Sequence, residues 1–407
     1  MFFLLAWLLI GGATFLALFY LNIFMNRQQG SLPELDSYPS VSILIPAYNE
    51  EKTIEDALES ALEIDYSPLK VLMIDDGSTD STLEKARSFE ESERLEIIEK
   101  EKNEGKAQAL NRGLEEIDSE YAVVQDADTV IHSNLLRKGL RKFQHDPELG
   151  AVIGAIQNFE SDTFVRKLQR VQYQMTNFYR NLMSSIETLD VTPGAFSLYR
   201  TSDLEKVGGF DEGNPTEDLE MAWRLRKLGR NLEMVYSAES RTEFPESFRD
   251  LYRQRVRWKR GSIVNSIKHR EMFLDSDYGW FGRWQLPVHV ISPLLASASL
   301  VLVIFGFGES IFNMAVSYSA VGFQLPSLEA MSLSRILLGL QFKIYVPLLI
   351  GMVISAVMIR TAYRAGGKKV RNPLAVMVYF LWFFAIQGFF TLSAIIKEML
   401  RSKRVWN

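Results

Sequence analysis

Charged residues are distributed unevenly along the 407-residue chain, and this pattern constrains its fold more than any other feature. The first 25 residues are nearly free of charge, and so are long stretches after Trp284. The segment between them is rich in Asp, Glu, Lys and Arg. Because ~20 consecutive apolar residues suffice to span a bilayer, the pattern predicts a charged soluble domain attached to apolar membrane helices.

The apolar segments predict one membrane helix before the soluble domain and about three after it. Residues 1–26 hold an apolar run with no preceding basic residue and no small-residue cleavage site, which favours an uncleaved anchor over a signal peptide. Residues 399–407 form a basic tail. The three spans predicted within 284–398 are at about 286–308, 336–359 and 374–396.

The basic residues predict the orientation of these helices. The link at about 309–334 contains two glutamates and no Lys or Arg, whereas the link Arg360–Arg371 contains five basic residues. Basic loops stay cytoplasmic, so the soluble domain is expected on the cytoplasmic face of a multi-pass plasma-membrane protein. Three spans would then place the basic tail outside. Either the tail breaks the rule, or one of the three apolar segments does not cross.

Residues 38–245 alternate between strand-like and helix-like segments. The β-rich runs VSILIP, LKVLMI, LEIIEK and YAVVQ are separated by segments with helical spacing, such as EKTIEDALESALEI and KAQALNRGLEEI. This order predicts an α/β fold with a mainly parallel sheet and helices on both faces. Since such sheets bind ligands at the carboxyl ends of their strands, the polar residues that follow the strands are candidate site residues.

Acidic motifs follow three of the predicted strands. AYNE follows the first, DDGSTD the second and DAD the fourth. Asp126 and Asp128 of the DAD motif crowd two carboxylates together, and a divalent cation such as Mg²⁺ or Mn²⁺ would relieve their repulsion. The alternative for DDGSTD is a tight turn at Gly77, and the alternative for DAD is a turn with a helix cap.

Thr216, Glu217 and Asp218 precede a segment with helical spacing. Thr216 is a good N-cap residue, and acidic residues in a first turn interact favourably with the helix dipole. The same dipole lowers the pKa of a carboxylate, so a catalytic base at this position would need burial to offset it. An acidic first turn without a catalytic role is the alternative.

Two stretches combine aromatic with basic residues, one at about 164–185 and one within 246–283. They are predicted to be amphipathic helices at the cytoplasmic membrane surface. Ordinary helices whose apolar face covers the protein core are the alternative.

The second stretch contains QRVRWKRG, which has two sides if it is helical. Gln254, Arg257 and Trp258 would share one face, because their spacing is i, i+3 and i+4. That face is expected to point toward the soluble domain. Basic residues elsewhere in this segment are expected to form a cuff at the lipid surface, namely Arg255, Lys259 and Arg260.

The residue inventory excludes several classes of site. No cysteine is present, which rules out disulfides, thiolate metal ligands and cysteine nucleophiles. The spacing of the four histidines indicates neither a zinc site nor a serine–histidine pair. The formal net charge of -5 gives no sign of nucleic-acid binding.

The motifs carry more information as an ordered set than singly. SILIPAYNE, DDGSTD, NEGKAQALN, DADT, TPGAF, TEDLEMAWRL and QRVRW follow one another over about 220 residues. This set resembles the family 2 glycosyltransferases, inverting enzymes with a GT-A fold. The Gln-x-x-Arg-Trp motif resembles that of their processive, membrane-embedded branch, within which the chain is most similar to the poly-β-1,6-N-acetylglucosamine synthases.

The resemblance implies a role for each motif residue. Asp218 would be the general base, with Glu217 beside it, and Asp128 would hold Mg²⁺ or Mn²⁺ on the diphosphate. The residues that would bind the UDP-sugar are Pro46, Ala47, Tyr48, Glu50, Asp75, Asp76, Lys106, Asp126, Gln254 and Arg257. The residues that would line the acceptor site are Gly194, Ala195 and Trp258.

The resemblance implies processive transfer of a sugar, N-acetylglucosamine by nearest likeness, from a UDP-sugar to a growing β-linked polysaccharide at the cytoplasmic membrane face. The expected partners are the UDP-sugar, a glycan or lipid-linked acceptor and membrane lipid. Four spans are few for a channel, so export would need a partner or self-association. The alternatives are a non-processive transferase acting on a lipid or short glycan, and an inactive scaffold, which the intact acidic motifs disfavour.

Overall fold

The computed structural model describes residues 2–27, 30, 33–159, 163–322 and 342–400. These residues form one eight-stranded sheet, helices that cover it, and further apolar helices. The strands are β1 Val41–Ala47, β2 Leu69–Asp75, β3 Leu95–Glu99, β4 Tyr121–Val124, β5 Thr129–Ile131, β6 Leu149–Asn158, β7 Ser197–Arg200 and β8 Asn231–Thr242. The helices are α1 Phe2–Asn26, α2 Ile54–Leu62, α3 Thr82–Arg87, α4 Lys106–Leu114, α5 Leu135–His145, α6 Phe164–Ser184, α7 Thr201–Lys206, α8 Glu217–Lys227, α9 Phe248–Lys268, α10 Leu286–Val321, α11 Phe342–Ala365 and α12 Pro373–Met399.

The strand order across the sheet is β3-β2-β1-β4-β7-β6-β8-β5. The parallel pairs are β1 with β2, β1 with β4, β2 with β3, and β6 with β8. The antiparallel pairs are β4 with β7, β6 with β7, and β5 with β8. The predicted α/β fold with a mainly parallel sheet is therefore confirmed. Because β7 runs against β4, the loop before β7 reaches the edge at which β1, β2 and β4 end.

The central strands are buried on both faces of the sheet, which explains why their sequences are continuous apolar runs. In β1, Ile43 packs with Leu58 of α2 on one face. The next residue, Leu44, packs with Leu110 of α4 and Trp223 of α8 on the other. Burying each aliphatic side chain contributes ~1.5–3 kcal/mol. A one-residue slip would exchange the two faces, so this packing fixes the register of the strands that carry the motifs.

Helix α6 is the first of the two predicted amphipathic helices, and Thr163 caps its N-terminus. One face lies on the sheet, where the Asn177 side chain bonds the backbone N and O of Ile156 at 3.1 and 2.7 Å. The opposite face packs Phe178 into a cluster with Tyr20 of α1. Helix α6 therefore separates the sheet from the apolar helices, and its contact with a membrane stays a prediction.

Helix α9 contains QRVRWKRG, and the prediction of a basic cuff on its lipid-facing side is wrong. Arg255 and Arg260 are only 3% and 7% exposed. The Arg255 guanidinium lies 4.1 Å from the Trp258 ring centre, and Arg260 Nε is 2.5 Å from Glu398 Oε1 of α12. Burial, followed by repulsion from Arg255, lowers the pKa of Lys259 to about 8. Helix α6 covers Arg255 through Gln172, and α12 covers Arg260, so this face is packed against protein.

Four described helices are long and apolar enough to cross a membrane: Trp7–Asn26, Phe281–Ala320, Leu348–Ala365 and Pro373–Met399. The first predicted C-terminal span, at about 286–308, lies in α10, and the third, at about 374–396, lies in α12. The second falls partly on α11, and its residues 336–341 lie outside the described residues, as do residues 401–407 of the basic tail.

Candidate active site

The carboxyl edge of the sheet brings the motif that follows β4 against the loop that precedes β7. The Asp126 amide donates to the Gly194 carbonyl at 2.9 Å. A methyl group on Gly194 would collide with Lys106 Nζ and with both carboxylate oxygens of Asp126. Any larger residue would displace these side-chain ends, so the TPGAF loop lies directly against the Lys106–Asp126 pair.

Lys106 connects two acidic motifs that are distant in sequence. Its ammonium forms an ion pair with Asp126 and lies 3.3 Å from Glu217 Oε1. Burial favours the neutral amine, but the Asp126 and Glu217 carboxylates outweigh it and raise the pKa of Lys106. Lys106 is therefore a fixed positive charge between the end of β4 and the start of α8.

Asp218 lies in the first turn of α8, with Oδ1 accepting from the Leu219 amide at 2.8 Å. Burial, followed by repulsion from Glu217, raises the Asp218 pKa to about 6, although Lys106 and Arg257 favour the carboxylate. Burial thus also outweighs the hydrogen bond from the Leu219 amide in this first helical turn, and burial was the condition for a base at this position. A carboxylate with this pKa is ionised at neutral pH and can accept a proton.

Thr216 occupies the N-cap position of α8, but the expectation that its side chain caps the helix is wrong. Its Oγ1 instead accepts from Asn265 Nδ2 of α9 at 3.1 Å. A methyl group on Gly261 of α9 would collide with the Thr216 side chain. Thr216 is therefore used to hold α9 against the start of α8, close to Asp218.

Glu50 and Asp128 are crowded carboxyl groups near the end of β4. Burial, followed by repulsion from Asp128, raises the Glu50 pKa to about 7. Burial, followed by repulsion from Asp126, raises the Asp128 pKa to about 6. The described residues contain no preformed cluster of three acidic or histidine ligands. Mg²⁺ and Mn²⁺ commonly take few protein oxygens and share the rest with phosphates and water, so these carboxylates fit such an ion.

The two adjacent aspartates that open DDGSTD have different surroundings. Asp76 accepts from Lys100 Nζ at 2.5 Å, the Glu104 amide at 3.1 Å and the Gly105 amide at 2.7 Å. It therefore fixes the loop that leads into Lys106. Asp75 accepts from the Ser78 amide at 3.2 Å through Oδ2, whereas its buried Oδ1 has no partner among the described residues. An unpaired buried acceptor is costly and fits a donor group of a ligand.

Pro46 and Ala47 are the last residues of β1, and the AYNE motif runs from Ala47 through Tyr48 into a turn. Asn49 has a φ of 56° in this turn, and its Oδ1 accepts from the Thr79 amide at 2.8 Å. The Ala47 carbonyl accepts from the Asp76 amide at 2.8 Å. The loops after β1 and β2 are therefore connected, which places AYNE beside DDGSTD.

Two residues of Gln-x-x-Arg-Trp contact the site. Arg257 Nη1 donates to the Pro215 carbonyl at 3.1 Å, just before α8, and its charge partly offsets the rise in the Asp218 pKa. Trp258 packs in a cluster that contains Ala195. Gln254 Oε1 is buried and has no partner among the described residues. Helix α9 therefore places Arg257 beside the start of α8 and Trp258 beside Ala195.

Ser262 and His289 form a hydrogen-bonded pair. The inference from histidine spacing that the chain has no serine–histidine pair is therefore wrong. His289 Nδ1 is 2.9 Å from Asp190 Oδ2, and His289 Nε2 is 2.7 Å from Ser262 Oγ. Gln285 Nε2 donates to the same Asp190 oxygen at 3.0 Å. Burial opposes ionisation of Asp190, but the hydrogen bond from His289 and the others outweigh it and lower the Asp190 pKa.

This network joins the loop before β7, helix α9 and helix α10, so no local spacing rule could have found it. Its connection to the site runs through Thr192, whose Oγ1 donates to the Asp218 carbonyl at 2.8 Å. The position of Asp190 shortly before TPGAF is the sequence signal that could have indicated its involvement.

Residues 42–208 match the family model described as Glycosyl transferase family 2. The chain therefore carries a family 2 glycosyltransferase domain with a GT-A-like fold, as the ordered motifs indicated. Its curated relatives include poly-beta-1,6-N-acetyl-D-glucosamine synthases, to which it is homologous. The one from Staphylococcus aureus strain COL is 29% identical over 246 residues, which cover 60% of this chain and 60% of the relative. The one from Staphylococcus epidermidis is 32% identical over 237 residues, 58% of each chain.

The chain spans about 60% of the length of the curated relatives it matches. Among solved structures, a mannosyltransferase from Pyrobaculum calidifontis in complex with GDP-Man and Mn²⁺ superposes with a TM-score of 0.65. The alignment covers 99% of this chain and 100% of that chain at 18% identity. At this identity the likeness establishes the fold alone.

Proposed function

We propose that the protein is an inverting, processive glycosyltransferase that uses a UDP-sugar to extend a β-linked polysaccharide at the cytoplasmic membrane face. The observation that carries the proposal is Asp218, whose pKa is raised to about 6 where Lys106, Glu217 and Arg257 converge. A base beside fixed cations suits a reaction in which a hydroxyl loses a proton while a diphosphate gains charge.

The transfer is a single displacement. The acceptor hydroxyl oxygen attacks the anomeric carbon of the donor sugar, and Asp218 takes the hydroxyl proton. The bond between the anomeric carbon and the diphosphate oxygen breaks, and UDP leaves with the electron pair. Attack opposite the leaving group inverts the configuration, so an α-linked donor yields a β-linkage.

The donor would lie along the carboxyl edge of the sheet. Pro46, Ala47 and Tyr48 would line the uridine, and the free Oδ1 of Asp75 would accept its N–H group. Asp76 would act by fixing the loop before Lys106. The remaining donor contacts are assigned to Glu50, Lys106, Asp126, Gln254 and Arg257.

A divalent ion, Mg²⁺ or Mn²⁺, would bind through Asp128, supported by Asp126 and Glu50. When bound, it neutralises charge that develops on the diphosphate. The raised pKa values of Asp128 and Glu50 support this assignment, because a cation would offset both the burial and the carboxylate repulsion that raise them.

The acceptor sugar would lie between the TPGAF loop and α9. Ala195 and Trp258 belong to one packed cluster, and an indole face stacks well on a sugar ring. N-Acetylglucosamine is the proposed sugar, because the relatives named above are poly-beta-1,6-N-acetyl-D-glucosamine synthases. Transfer at the membrane is supported by the apolar helices that pack beneath α6 and α9.

The direct experiment gives membranes that contain the protein a panel of radiolabelled UDP-sugars with Mg²⁺ or Mn²⁺. A long labelled polymer from UDP-N-acetylglucosamine is the expected product, and the Asp218→Asn variant should form it at least ~100-fold more slowly. Transfer of a single sugar would contradict processivity. Consumption of no UDP-sugar by any preparation would contradict enzymatic function and favour a scaffold.

A second candidate is transfer to an anionic lipid, which three buried cations favour. Arg180 Nη1 and Arg255 Nε are buried without a hydrogen-bond partner. Neither these arginines nor Lys259 has a carboxylate within ion-pair distance in the described parts of the chain. Burial lowers the pKa of all three groups. A lipid phosphate acceptor would supply the missing negative charge, and in the experiment above it would give a lipid-extractable product.

A further inference from the structure

Both ends of α12 are attached to the catalytic domain. Before its first turn, Lys368 Nζ is 2.8 Å from Glu239 Oε2 of β8. At its last turn, Glu398 is paired with Arg260 of α9 at 2.5 Å, and Lys397 Nζ lies 5.0 Å from the Tyr252 ring centre. A helix that crossed the membrane would have its two ends on opposite sides.

Helix α9 is attached to the catalytic domain, so its contact with the C-terminal end of α12 shows on which side of the membrane that end lies. Asn265 Nδ2 of α9 donates to Thr216 Oγ1 at 3.1 Å, and Lys268 Nζ is 2.6 Å from Glu220 Oε1 of α8. These contacts attach α9 to the catalytic domain, and none of them involves one of the apolar helices. The C-terminal turn of α12 is therefore at the level of the catalytic domain, as is its N-terminal turn.

Between its ends, α12 lies along the amphipathic helices. Its N-terminal half packs Tyr379 into the cluster that contains Phe178 of α6. Its C-terminal half packs Phe390 into the cluster that contains Leu251 of α9. Helix α10 crosses it near Gly388, where a methyl group would collide with the Ala296 carbonyl.

The opposite side of α12 is apolar and exposed along its length. Its residues are each 45–60% exposed: Leu374, Met377, Leu381, Trp382, Phe384, Phe389 and Ile396. Helical spacing places them within one broad stripe. The neighbouring helix α10 is also apolar, and its residues beyond 300 are largely exposed.

We propose that α12 lies flat on the cytoplasmic surface of the membrane, with this apolar stripe in lipid, and does not span the bilayer. Its 27 residues give a length of ~40 Å, ample for a span, but the attachment of both ends to one domain excludes that path. The spans are then α1, α10 and α11. The inference rests on the proposed membrane location and is independent of the transfer chemistry.

This placement resolves the conflict in the charge pattern. With α10 leading outward and α11 leading back, Lys397 and the basic residues after it stay on the cytoplasmic side, as the positive-inside rule requires. The structure supports a shared direction for α1 and α11: Gly351 faces Ile10 and Thr14, and Met358 clusters with Tyr20 further along both helices.

The first test uses the absence of cysteine, which makes every introduced thiol unique. Single-cysteine variants of the full chain, Lys397→Cys, Glu91→Cys and Ser319→Cys, are labelled with a membrane-impermeant maleimide in intact cells and in inverted vesicles. Lys397 lies outside the apolar stripe, on the side of α12 that contacts Tyr252 of α9. We expect Lys397→Cys to label with Glu91→Cys, on the domain surface, in inverted vesicles only. Ser319→Cys, near the far end of α10, should label in intact cells. Labelling of Lys397→Cys together with Ser319→Cys would overturn the proposal.

The second test measures depth in the bilayer. Nitroxides attached at positions 377, 381, 389 and 396 of α12 span ~28 Å along the helix axis. If α12 lies flat, their relative accessibility to oxygen and to a water-soluble nickel complex should indicate one common shallow depth. Positions 303 and 312 of α10, ~14 Å apart, serve as the control and should differ in depth. A gradient through the bilayer centre along α12 would overturn the proposal.

Neither measurement depends on sugar transfer. Flat placement with no activity would leave the topology intact and contradict the proposed function alone. Sugar transfer by a protein whose α12 spans the bilayer would contradict the topology alone and leave the proposed function intact. Elution of each variant as a single species in mild detergent shows that it is folded.

Discussion

Asp218 and Glu220 both lie in the first turn of α8, only two residues apart, yet their side chains differ widely in pKa and in bonding partners. Glu220 accepts from Arg224 Nε at 2.5 Å and from Lys268 Nζ at 2.6 Å, and its side chain is 0% exposed. Burial opposes its ionisation, but His269, Lys268 and Arg224 outweigh it and lower the Glu220 pKa to about 2. Burial raises the Asp218 pKa to about 6.

The difference separates a structural charge from a reactive one. Glu220 is neutralised by protein cations that belong to α8 and α9, so it holds those helices together. Asp218 is near Lys106 and Arg257 but has no side-chain ion-pair partner within the described chain, and only a backbone amide bonds its carboxylate. A proton acceptor must remain available, and the structure leaves Asp218 in that state.

The largest expected effect on transfer comes from Asp218→Asn, which keeps the size of the side chain and removes the proton acceptor. We expect kcat to fall ~10²–10⁴-fold, the usual contribution of a general base, with UDP affinity unchanged. Initial rates of sugar transfer and calorimetric UDP titration measure the two quantities. Wild-type rates in this variant would place the base elsewhere.

The next effect is expected from Asp128→Ala, which tests whether the crowded carboxylates hold a metal. Loss of even an indirect contact to a ligand costs ~10–100-fold in metal affinity, so we expect the Mn²⁺ concentration for half-maximal activity to rise at least tenfold. The control is Asp56→Ala, a carboxylate of α2 near the same cleft. Superimposable Mn²⁺ titrations of wild type and Asp128→Ala would contradict the assignment.

The pH dependence of kcat/KM for the acceptor should report Asp218, because this parameter follows the ionisation of the enzyme before the acceptor binds. The folded-state pKa of Asp218 is about 6, so the base is ionised above this pH and is progressively protonated below it. At saturating metal and donor, kcat/KM should fall about tenfold per pH unit below 6, and stay level from 7 to 8. Stopped assays across pH 5–8 measure the profile. A kcat/KM that is constant down to pH 5 would be incompatible with this base.

The smallest effect on transfer per folded molecule is expected for Glu220→Gln. Loss of one buried charge leaves Arg224 and Lys268 less well compensated, which should cost up to about 3 kcal/mol in the free energy of unfolding, since Lys268 is partly exposed. Thermal unfolding should shift to lower temperature while kcat stays within about twofold of wild type. A large loss of kcat with unchanged stability would mean that Glu220, too, is a reactive group.

The sequence predicted the sheet because its central strands are long apolar runs with polar motifs at their ends. It did not predict that β7 is antiparallel, since Ser197–Arg200 is short and its direction depends on its neighbours. That reversal is what brings Gly194 against Asp126. Motif order gave the residues of the site, and only tertiary packing gave their distances.

Two errors have a common physical cause. Arg255 and Arg260 were expected at the lipid surface, and His289 was expected to lack a serine partner. Both expectations treated α9 as a helix with one free side. Packing of α6 and α12 against α9 buries Arg255 and Arg260, and packing of α10 brings His289 to Ser262. Contacts between segments so far apart in sequence leave no periodic signal.

The TPGAF loop has a consequence for the spacing of the two substrates. Gly194 touches the pair assigned to the donor, and the adjacent Ala195 belongs to the cluster assigned to the acceptor. Neighbouring Cα atoms are separated by ~3.8 Å. The covalent backbone therefore fixes the distance between the residues assigned to the donor and to the acceptor. A larger donor or acceptor sugar would have to be fitted by residues outside the TPGAF loop.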